Sequence, residues 1–563
     1  MNKLRDSRWF VREAAAQALK GTANIKALLE LVELLSDSIP SVSSSAAFSL
    51  RGVKDFRILE ALVQHLRHAQ SRIRFAAASA LADCTDERTV QRLVFILERA
   101  EEAELREVAA LALTGTKIKS AWPMMLKALT ELSPRVRSRV AESLEPISEI
   151  SITEGLVRAL GDSAPSVRKA AARALGERKE EFVTEGLIRA IRREENPGTR
   201  EALIAALAGR AHVDAWSILR SLLQSDPDPV VRETAAQALG SMRDDATRTI
   251  LVTRLQEESE LNTQLAIIRA LRGSSDEFTS LALTKLVTTS SHESVREAAL
   301  ETLLGCRDAW ITTLCARLLS AKFWQDESAA VRRIAAKHLG LCFSVEGAAA
   351  LNEALEHDPS EHVREEAAIS LAKAPAGAGR PALRISSYSA HLSVRKVALE
   401  ALAFDHDDSI TELLAERLSV EPDWSLRCLI CRGLKGRANP IALRALQDAF
   451  RDENALVRNE AAQALQGTND PQTLKSLVDR AFGRNPEQRY LAALALRGTS
   501  EQTTLVELQR NLTASDPELR VVAVHALKGT RDSASRAGLQ RALRDSNAYV
   551  RIAAQKAINH RDP

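Results

Sequence analysis

The chain has 563 residues, of which 45% are hydrophobic but only 4% aromatic, and its formal net charge is +3. A charge this small on a chain of this length argues against a general affinity for polyanions. Residues 1–13 contain no apolar segment typical of a signal peptide, and no apolar run approaches the roughly 18 residues of a membrane span. We therefore expect a cytoplasmic protein with no membrane segment.

A pair of short helices is predicted clearly in residues 153–176. This stretch reads TEGLVRAL, then GDSAPS, then VRKAAARALG. Apolar residues at helical spacing predict an amphipathic first helix, here called A, and a second helix, called B, separated by a tight turn. Arg168, near the start of helix B, serves below as the anchor of the pattern.

The anchor recurs along the whole chain. There are 18 copies, 16 of which carry Arg, and successive copies are 31 or 32 residues apart except for one spacing of 36. Leu follows the anchor by seven residues in 17 copies, and Ala follows it by three residues in 14. A fixed period in this range is typical of stacked-repeat solenoids. The anchors are Arg12, Ser43, Arg74, Arg106, Arg137, Arg168, Arg200, Arg232, Gln264, Arg296, Arg332, Arg364, Arg395, Arg427, Arg458, Arg489, Arg520 and Arg551.

The ends of helix B are marked in the sequence as well. Pro lies three residues before the anchor in seven copies, and in five of these a capping residue precedes it. A capping side chain followed by Pro at the first helical position predicts a helix start. Gly lies nine residues after the anchor in ten copies, where a left-handed residue would end the helix. The five capping residues are Ser133, Asn196, Asp228, Asn485 and Asp516.

An acidic residue lies six positions before the anchor in 12 of the 18 copies. We interpret these acids and the anchor arginines as a structural ladder, in which each Arg bonds carboxylates and carbonyls in the turn of its own repeat and of the next. The alternative is a solvated charge pair that contributes little. In either interpretation these arginines are not a binding surface. The ladder residues are Asp6 with Arg12, Asp162 with Arg168, Asp226 with Arg232, Asp358 with Arg364, Asp452 with Arg458, and Asp545 with Arg551.

The pattern L-x-D-x(4)-VR-x-x-AA-x-AL-G resembles HEAT repeats, specifically the short HEAT-like repeats of phycobilisome (PBS) bilin lyases. The resemblance covers essentially the whole chain, with weaker copies around Ser43 and Gln264. It implies an all-α, right-handed α-α superhelix of about 18 repeats, with B helices on the concave face and A helices on the convex face. We expect residues 1–563 to form one continuous array.

Two stretches break the rhythm, and the start of the chain is unusual. Extra residues fall near 320–326, and a Pro- and Gly-rich turn spans 373–381. Each stretch is either a hinge or a longer surface loop. The chain starts almost at a B helix with Trp9 and Phe10 on it. We expect the N-terminal end to be covered, by self-association or by a domain missing from this sequence.

No catalytic or nucleotide-binding motif is present, so we expect neither an enzyme nor a cofactor or metal site. Cys428 and Cys431 match C-x-x-C but lie inside a predicted B helix, which favours core packing over redox or zinc chemistry. The six cysteines do not follow the repeat, which argues against a disulfide framework and favours a reducing compartment.

Positions one, five and eight after the anchor should face the concave side. Residues 427–563 carry a net charge of +8, while the rest of the chain carries −5. Glu297, Glu301, Glu365 and Glu400 are acidic counterparts in the central repeats. We predict that cations near the C-terminus bind an acidic or phosphate-bearing ligand. These candidate partner-binding residues, called the C-terminal track, are Arg432, Lys435, Arg497, Lys528 and Lys556.

The best-supported function is a non-enzymatic scaffold or adaptor that binds a protein partner on its concave surface. One alternative is the ligand-sensing arm of a larger prokaryotic signalling protein. A second, suggested by the resemblance, is a bilin lyase or isomerase. A third is nucleic-acid binding along the C-terminal track, which the scarcity of aromatic residues facing it weakens.

Overall fold

The computed structural model describes residues 2–274, 276–320, 328–374, 379–405 and 407–559. Within these ranges the regular structure is entirely helical, with 35 α-helices and no β-strand. The chain divides into two compact units, residues 1–302 and 303–563. A single continuous array over 1–563 stays a prediction. The irregularity predicted near 320–326 falls almost entirely on 321–327, and the one predicted near 373–381 falls partly on 375–378; both of these ranges lie outside the described residues.

Every anchor residue lies on an odd-numbered helix, and these are the B helices. They are α1 (Trp9–Ala18), α3 (Pro40–Leu50), α5 (Ser71–Leu81), α7 (Ala103–Ala112), α9 (Pro134–Ser143), α11 (Pro165–Ala174), α13 (Pro197–Leu207), α15 (Pro229–Leu239), α17 (Leu261–Ala270), α19 (Glu293–Thr302), α21 (Ala329–Leu341), α23 (Glu361–Ala372), α25 (Leu392–Ala403), α27 (Trp424–Gly433), α29 (Ala455–Ala464), α31 (Pro486–Ala495), α33 (Pro517–Ala526) and α35 (Ala548–Asn559).

The even-numbered helices are the A helices, one between each pair of B helices. They are α2 (Ile25–Glu33), α4 (Phe56–His65), α6 (Glu87–Arg99), α8 (Trp122–Ala128), α10 (Ile150–Ala159), α12 (Glu181–Ile191), α14 (Val213–Ser225), α16 (Asp245–Glu257), α18 (Glu277–Thr289), α20 (Ala309–Leu319), α22 (Val345–His357), α24 (Arg380–Ser386), α26 (Asp408–Val420), α28 (Pro440–Asp448), α30 (Pro471–Ala481), α32 (Gln502–Asn511) and α34 (Ser533–Ala542). The predicted succession of A and B helices is confirmed.

The helix boundaries follow the predicted capping chemistry with one exception. The side chains of Asn196, Asp228, Asn485 and Asp516 each accept a hydrogen bond from a backbone N–H in the first turn of their helix. Ser133 precedes Pro134 in the same way, but its side chain makes no capping hydrogen bond, so that prediction is wrong. Its extended backbone and the fixed φ of proline start α9 without the side chain.

The left-handed residue predicted at the ten glycines after B helices is confirmed. All ten glycines nine residues after an anchor have positive φ, among them Gly21 at +77° and Gly529 at +82°. In the copy anchored by Arg74, the same position holds Asp83, which also has a positive φ of 62°. The left-handed turn is therefore not restricted to glycine, although glycine is the residue that adopts it without steric cost.

The core of each unit lies between the A and B layers. The leucines seven residues after the anchor, from Leu50 to Leu527, are all buried. Ala at the third position, such as Ala171 and Ala461, is fully buried where B helices contact one another. In the unit formed by residues 1–302, neighbouring B helices contact each other more extensively than neighbouring A helices do. Small side chains at these contacts permit that close approach.

Candidate functional site

The anchor arginines join each repeat to the next. Nη1 of Arg137 donates to the carbonyl oxygens of Glu131, at 2.7 Å, and Leu132, at 3.1 Å, in the turn of its own repeat. Nε and Nη2 each donate to Asp162 in the next turn, both at 2.7 Å. The Asp162 carboxylate also accepts from the backbone N–H of Ala164 at 2.8 Å. One guanidinium thus bonds two consecutive turns with bidentate geometry.

This arrangement, called the arginine ladder, recurs in both units. The pairs with a carboxylate in the next turn are Arg12–Asp37, Arg106–Glu131, Arg137–Asp162, Arg168–Glu194, Arg200–Asp226, Arg232–Glu258, Arg332–Asp358, Arg395–Glu421, Arg427–Asp452 and Arg520–Asp545. In each of these pairs the acid bonds the Arg of the preceding repeat rather than the residue six positions after it. Where that residue is Arg, it bonds the acid's backbone carbonyl instead, as Arg168 does with Asp162 at 2.8 Å.

The remaining predicted ladder residues have different partners. The carboxylate of Asp6 accepts from Arg8 at 3.0 Å, while Arg12 takes the Asp6 carbonyl. Arg364 bonds the Asp358 carbonyl and the ring Nε2 of His391. Arg551 donates to the carbonyl of Asp545 at 2.7 Å. These arginines still donate to backbone carbonyl oxygens in the turn of their own repeat. That contact does not require an acidic side chain.

In three repeats without the turn acid, an exposed glutamate takes its place. The turn residue is Ala100 after Arg74, Gly483 after Arg458 and Ala514 after Arg489. The three arginines pair instead with a Glu at the start of the next B helix, whose side chain is 55–73% exposed. The turn acids Glu258, Asp358 and Glu421 are by contrast fully buried. These substitute pairs are Arg74–Glu104, Arg458–Glu487 and Arg489–Glu518.

Glu258 shows the electrostatics of a buried ladder acid. Burial alone would raise the pKa of its carboxyl, but hydrogen bonds from Arg232, the backbone of Glu260 and Arg254 lower this pKa to about 2. Nε and Nη2 of Arg232 both lie 2.8 Å from the carboxylate oxygens, and Nη2 of Arg254 lies 3.0 Å away. The carboxylate is therefore charged and fully paired, as a buried ion pair requires.

A second set of arginines was missed by the sequence reasoning. Arg178, ten residues after its anchor, is buried and donates from Nε to the carbonyl of Ala174. Its Nη1 bonds Thr153 of helix A, and Nη2 reaches the carbonyl oxygens of Leu144 and Ile147 in the preceding repeat. The guanidinium thus occupies the negative ends of two B helices. Arg210 with Thr184 and Arg437 with Thr411 repeat the arrangement.

Three of the five residues of the C-terminal track share one surface. The pKa of the His525 imidazole is lowered first by burial and then by the positive charges of Arg497, Lys528 and Lys556. Nε of Arg497 also donates to the His525 carbonyl oxygen at 3.3 Å. The remaining two, Arg432 in α27 and Lys435 just after it, are exposed, and Nε of Arg432 lies 3.8 Å from the Glu460 carboxylate.

A groove of about 660 Å³ runs beside this cluster across α31, α33 and α35. Sequence reasoning found few aromatic residues facing the track, but two tyrosines, Tyr490 and Tyr549, line this groove together with His525. We call it the tyrosine groove. Its other lining residues are Pro486, Arg489, Ala493, Asp516, Pro517, Glu518, Val521, Val522 and Asn547.

The cysteines of the C-x-x-C pair lie in the core. Burial raises the pKa of the Cys428 and Cys431 thiols, which lie on α27 within the core, so both stay protonated near neutral pH. Across the described ranges no group of three His, Cys, Asp or Glu side chains is placed to hold a metal ion. No described helix combines the length and apolar character needed to cross a membrane.

Stacked A and B helices joined by a repeating Arg and carboxylate contact define an α-solenoid. HEAT repeats match residues 28–114, 122–208, 184–272 and 411–497, which together are more than half of the chain. The chain therefore belongs to the HEAT-repeat family, as its motif predicts. The finer resemblance to PBS-lyase repeats stays a prediction. No relative of the chain is found among curated proteins.

Solved structures with similar folds include several of Kap121p. Kap121p bound to Ste12p matches over 99% of this chain and 77% of its own, with 13% identity and a TM-score of 0.46. The complex with RanGTP covers the same shares, with 13% identity and a TM-score of 0.41. Kap121p alone gives a TM-score of 0.36, with 12% identity over 99% of this chain and 84% of its own. Because the TM-scores are below 0.5, these similarities say nothing about the partners of this chain.

Proposed function

We propose that the chain is a non-enzymatic scaffold that binds a protein partner on the surface of its B helices. The observation that carries this proposal is the grouping of Arg497, Lys528 and Lys556 around His525 on that surface. The anchor arginines whose carboxylate partners are buried are engaged in the arginine ladder, so they are not available to a ligand. The track cations, in contrast, extend from the ends of successive B helices, where an extended partner can contact several of them.

The packing of the unit formed by residues 1–302 supports a concave B-helix surface. Its B helices contact each other more extensively than its A helices do. A stack bends toward the layer whose members lie closer together. In this proposal the B helices line the inside of the bend and present a continuous surface to the partner.

The chemistry of the C-terminal track indicates an acidic or phosphate-bearing segment in the partner. Arg432, Lys435, Arg497, Lys528 and Lys556 place five cations over the last five B helices. Such contacts steer association and fix orientation more than they add affinity. Because the track cations are largely on the surface, their effect should weaken as salt rises.

Charge reversal along the track tests the proposal. The variant Lys435→Glu/Arg497→Glu/Lys528→Glu should lose the native partner captured from cell extract by the wild-type chain, while its melting temperature barely moves. A matched variant, Arg99→Glu/Lys127→Glu/Arg189→Glu, reverses three exposed cations on A helices and should retain the partner. Equal loss in both variants, or undiminished capture by the track variant, would contradict the proposed site.

The N-terminal end is proposed as a second contact. Trp9 is 48% exposed and Phe10 is 54% exposed on α1, with their rings edge to face at 6.0 Å. We propose that self-association or a further domain covers them. Sedimentation of the wild-type chain and of Trp9→Ser/Phe10→Ser distinguishes the two, because only self-association makes the oligomeric state depend on this pair. A location in the cytoplasm is likewise a proposal, supported by six cysteines that form no disulfide.

A further inference from the structure

We propose that the tyrosine groove binds a short linear protein segment that carries apolar side chains next to acidic ones. The proposal rests on the proposed scaffold function and names the class of partner segment and the place where it binds. It adds an apolar anchoring site to the charged track, which by itself provides little affinity. All of its residues belong to the unit formed by residues 303–563.

The groove has an apolar, accessible part within a lining that also carries charged residues. Tyr490 is 53% exposed and Tyr549 is 77% exposed, and the partly buried Val521 and Val522 lie between them in the lining. Exposed aromatic and aliphatic side chains gathered in one concavity are typical of interaction sites. Tyrosine suits this role because it offers a large contact area at a low cost in conformational entropy.

The size of the groove favours a few side chains over a folded surface. Its volume of about 660 Å³ lies within the range of roughly 300–1,000 Å³ typical of pockets for small ligands. A linear segment that inserts two or three side chains fills such a volume. The edge of a folded domain would contact the rim and leave the groove open.

The charges beside the groove select an acidic neighbour for the apolar anchor. His525 lines the groove, and Arg497, Lys528 and Lys556 lie close enough to it to lower its pKa. An acidic residue next to the inserted side chain would meet these cations. This complementarity favours acidic over basic segments and raises the rate of association.

The opposite rim carries an ion pair that a partner can exchange. Nη1 of Arg489 lies 2.9 Å from Oε2 of Glu518, and the Glu518 side chain is 73% exposed. A carboxylate from the partner can replace Glu518 on Arg489, because the released Glu518 would be solvated and no buried charge would be left unpaired. The buried ladder pairs do not permit such an exchange.

Single-stranded nucleic acid is the other polymer that aromatic and cationic side chains bind. Two acids in the lining, Asp516 and Glu518, argue against it because they would repel backbone phosphates. A protein segment can place an apolar residue beside these acids and its own acid beside the cations. The observations therefore favour the peptide, and nucleic acid becomes an outcome of the test.

The experiment selects binders from a phage-displayed library of random twelve-residue peptides, using the full chain as the target. We expect enrichment of peptides that combine an aromatic or aliphatic residue with acidic residues. The most enriched peptide is then labelled with fluorescein, and its Kd is measured by fluorescence anisotropy. Labelled oligo(dT) of twelve nucleotides is measured in parallel. A selection without enrichment, or tighter binding of oligo(dT) that displaces the peptide, would overturn the proposal.

Matched variants locate the binding. Tyr490→Ser/Tyr549→Ser and Lys528→Glu/Lys556→Glu should each raise the Kd of the peptide at least tenfold. Phe95→Ser, which removes a 64% exposed aromatic ring from the A helix α6, and Lys127→Glu/Arg189→Glu should leave it unchanged. If the tyrosine changes leave the Kd unchanged while the charge reversal raises it, the groove is not the binding site. The proposed scaffold function is unaffected by that result. If the library yields no binder but the track variant still loses the native partner, the groove proposal is wrong and the scaffold proposal is retained.

Discussion

Two stretches of the chain use the same anchor arginine in different ways. In residues 134–260, Arg137, Arg168, Arg200 and Arg232 each fork onto a turn carboxylate that is at most 11% exposed. In residues 455–518, Arg458 and Arg489 pair with Glu487 and Glu518, whose side chains are more than half exposed. We call an anchor pair closed where the carboxylate is buried, as in the first stretch, and open where it is exposed, as in the second.

The open stretch is also where the tyrosine groove lies. Arg489 and Glu518 belong both to an open ladder pair and to the lining of the groove. A buried ion pair resists separation because either charge left alone would be costly, whereas an exposed pair contributes little. The same motif therefore stabilises the stack where its acid is buried and leaves a surface open to exchange where its acid is exposed.

The largest expected effect comes from breaking a closed pair. Arg232→Ala should destabilise the array locally by about 3–5 kcal/mol, since the fully buried Glu258 loses its bidentate partner. Hydrogen exchange of peptides covering residues 226–260 measures this local opening. A replacement of both partners, Arg232→Met/Glu258→Leu, should recover most of the loss. Exchange that does not change in Arg232→Ala would show that the pair is only a surface charge.

Acid should weaken the closed stretch through the same carboxylates. The pKa of Glu258 in the folded protein is about 2, below the value of about 4.3 for an unfolded Glu. A lowered pKa contributes stability that is complete above the unfolded value and is lost as pH falls from about 4.3 toward 2. This group accounts for roughly 3 kcal/mol. Urea unfolding at pH 5 and pH 3 checks it, because Arg232→Met/Glu258→Leu should lose less stability on acidification than wild type.

The buried arginine at the helix ends should have a smaller effect. Arg178→Met keeps the length of the side chain but leaves the carbonyl oxygens of Leu144 and Ile147 without their donor. We expect a cost of about 1–3 kcal/mol, seen as faster hydrogen exchange at the end of α9 and in α11. Arg173→Met, on the exposed side of α11, is the matched control and should change little. Equal exchange in both variants would contradict the structural role of Arg178.

The smallest effects are expected in the open stretch. Arg489→Ala should cost less than about 1 kcal/mol, because its partner Glu518 is exposed. Ala514→Asp should instead give Arg489 a turn carboxylate, as in the closed pairs, and stabilise the stretch by about 0.5–1.5 kcal/mol. The turn that holds Asp226 and Asp228 shows that a second acid two residues later is tolerated. Denaturation of the two variants checks the signs, and a destabilising Ala514→Asp would count against the distinction between closed and open pairs.

Much of the fold was predictable because each feature repeats. The glycines nine residues after the anchor share one backbone conformation, and the leucines at position seven share one buried site. The ladder partners were less predictable. Asp162 is six residues before Arg168 and 25 after Arg137, and only the stacking of repeats decides that Arg137 takes the carboxylate.

The site was harder to predict than the fold. The residues of the tyrosine groove come from different repeat positions: Tyr490 follows its anchor by one residue, while Tyr549 precedes its anchor by two. No single periodic position marks them, so period counting found the cations and missed the tyrosines. Arg178, Arg210 and Arg437 were missed because Arg occupies this position in only four of the 18 copies and their threonine partners lie on other helices.

Hydrogen exchange along the wild-type chain and the Ala514→Asp variant tests the distinction between closed and open pairs most directly. We predict that amides in α29 and α31, whose anchor arginines make the open pairs, exchange faster than those in the B helices of residues 134–260. We also predict that Ala514→Asp slows exchange in α31 and α33 and leaves residues 134–260 unchanged. Equal protection in the two stretches, or an Ala514→Asp variant with no local slowing, would contradict the link between the burial of the ladder acid and the stability of the stack.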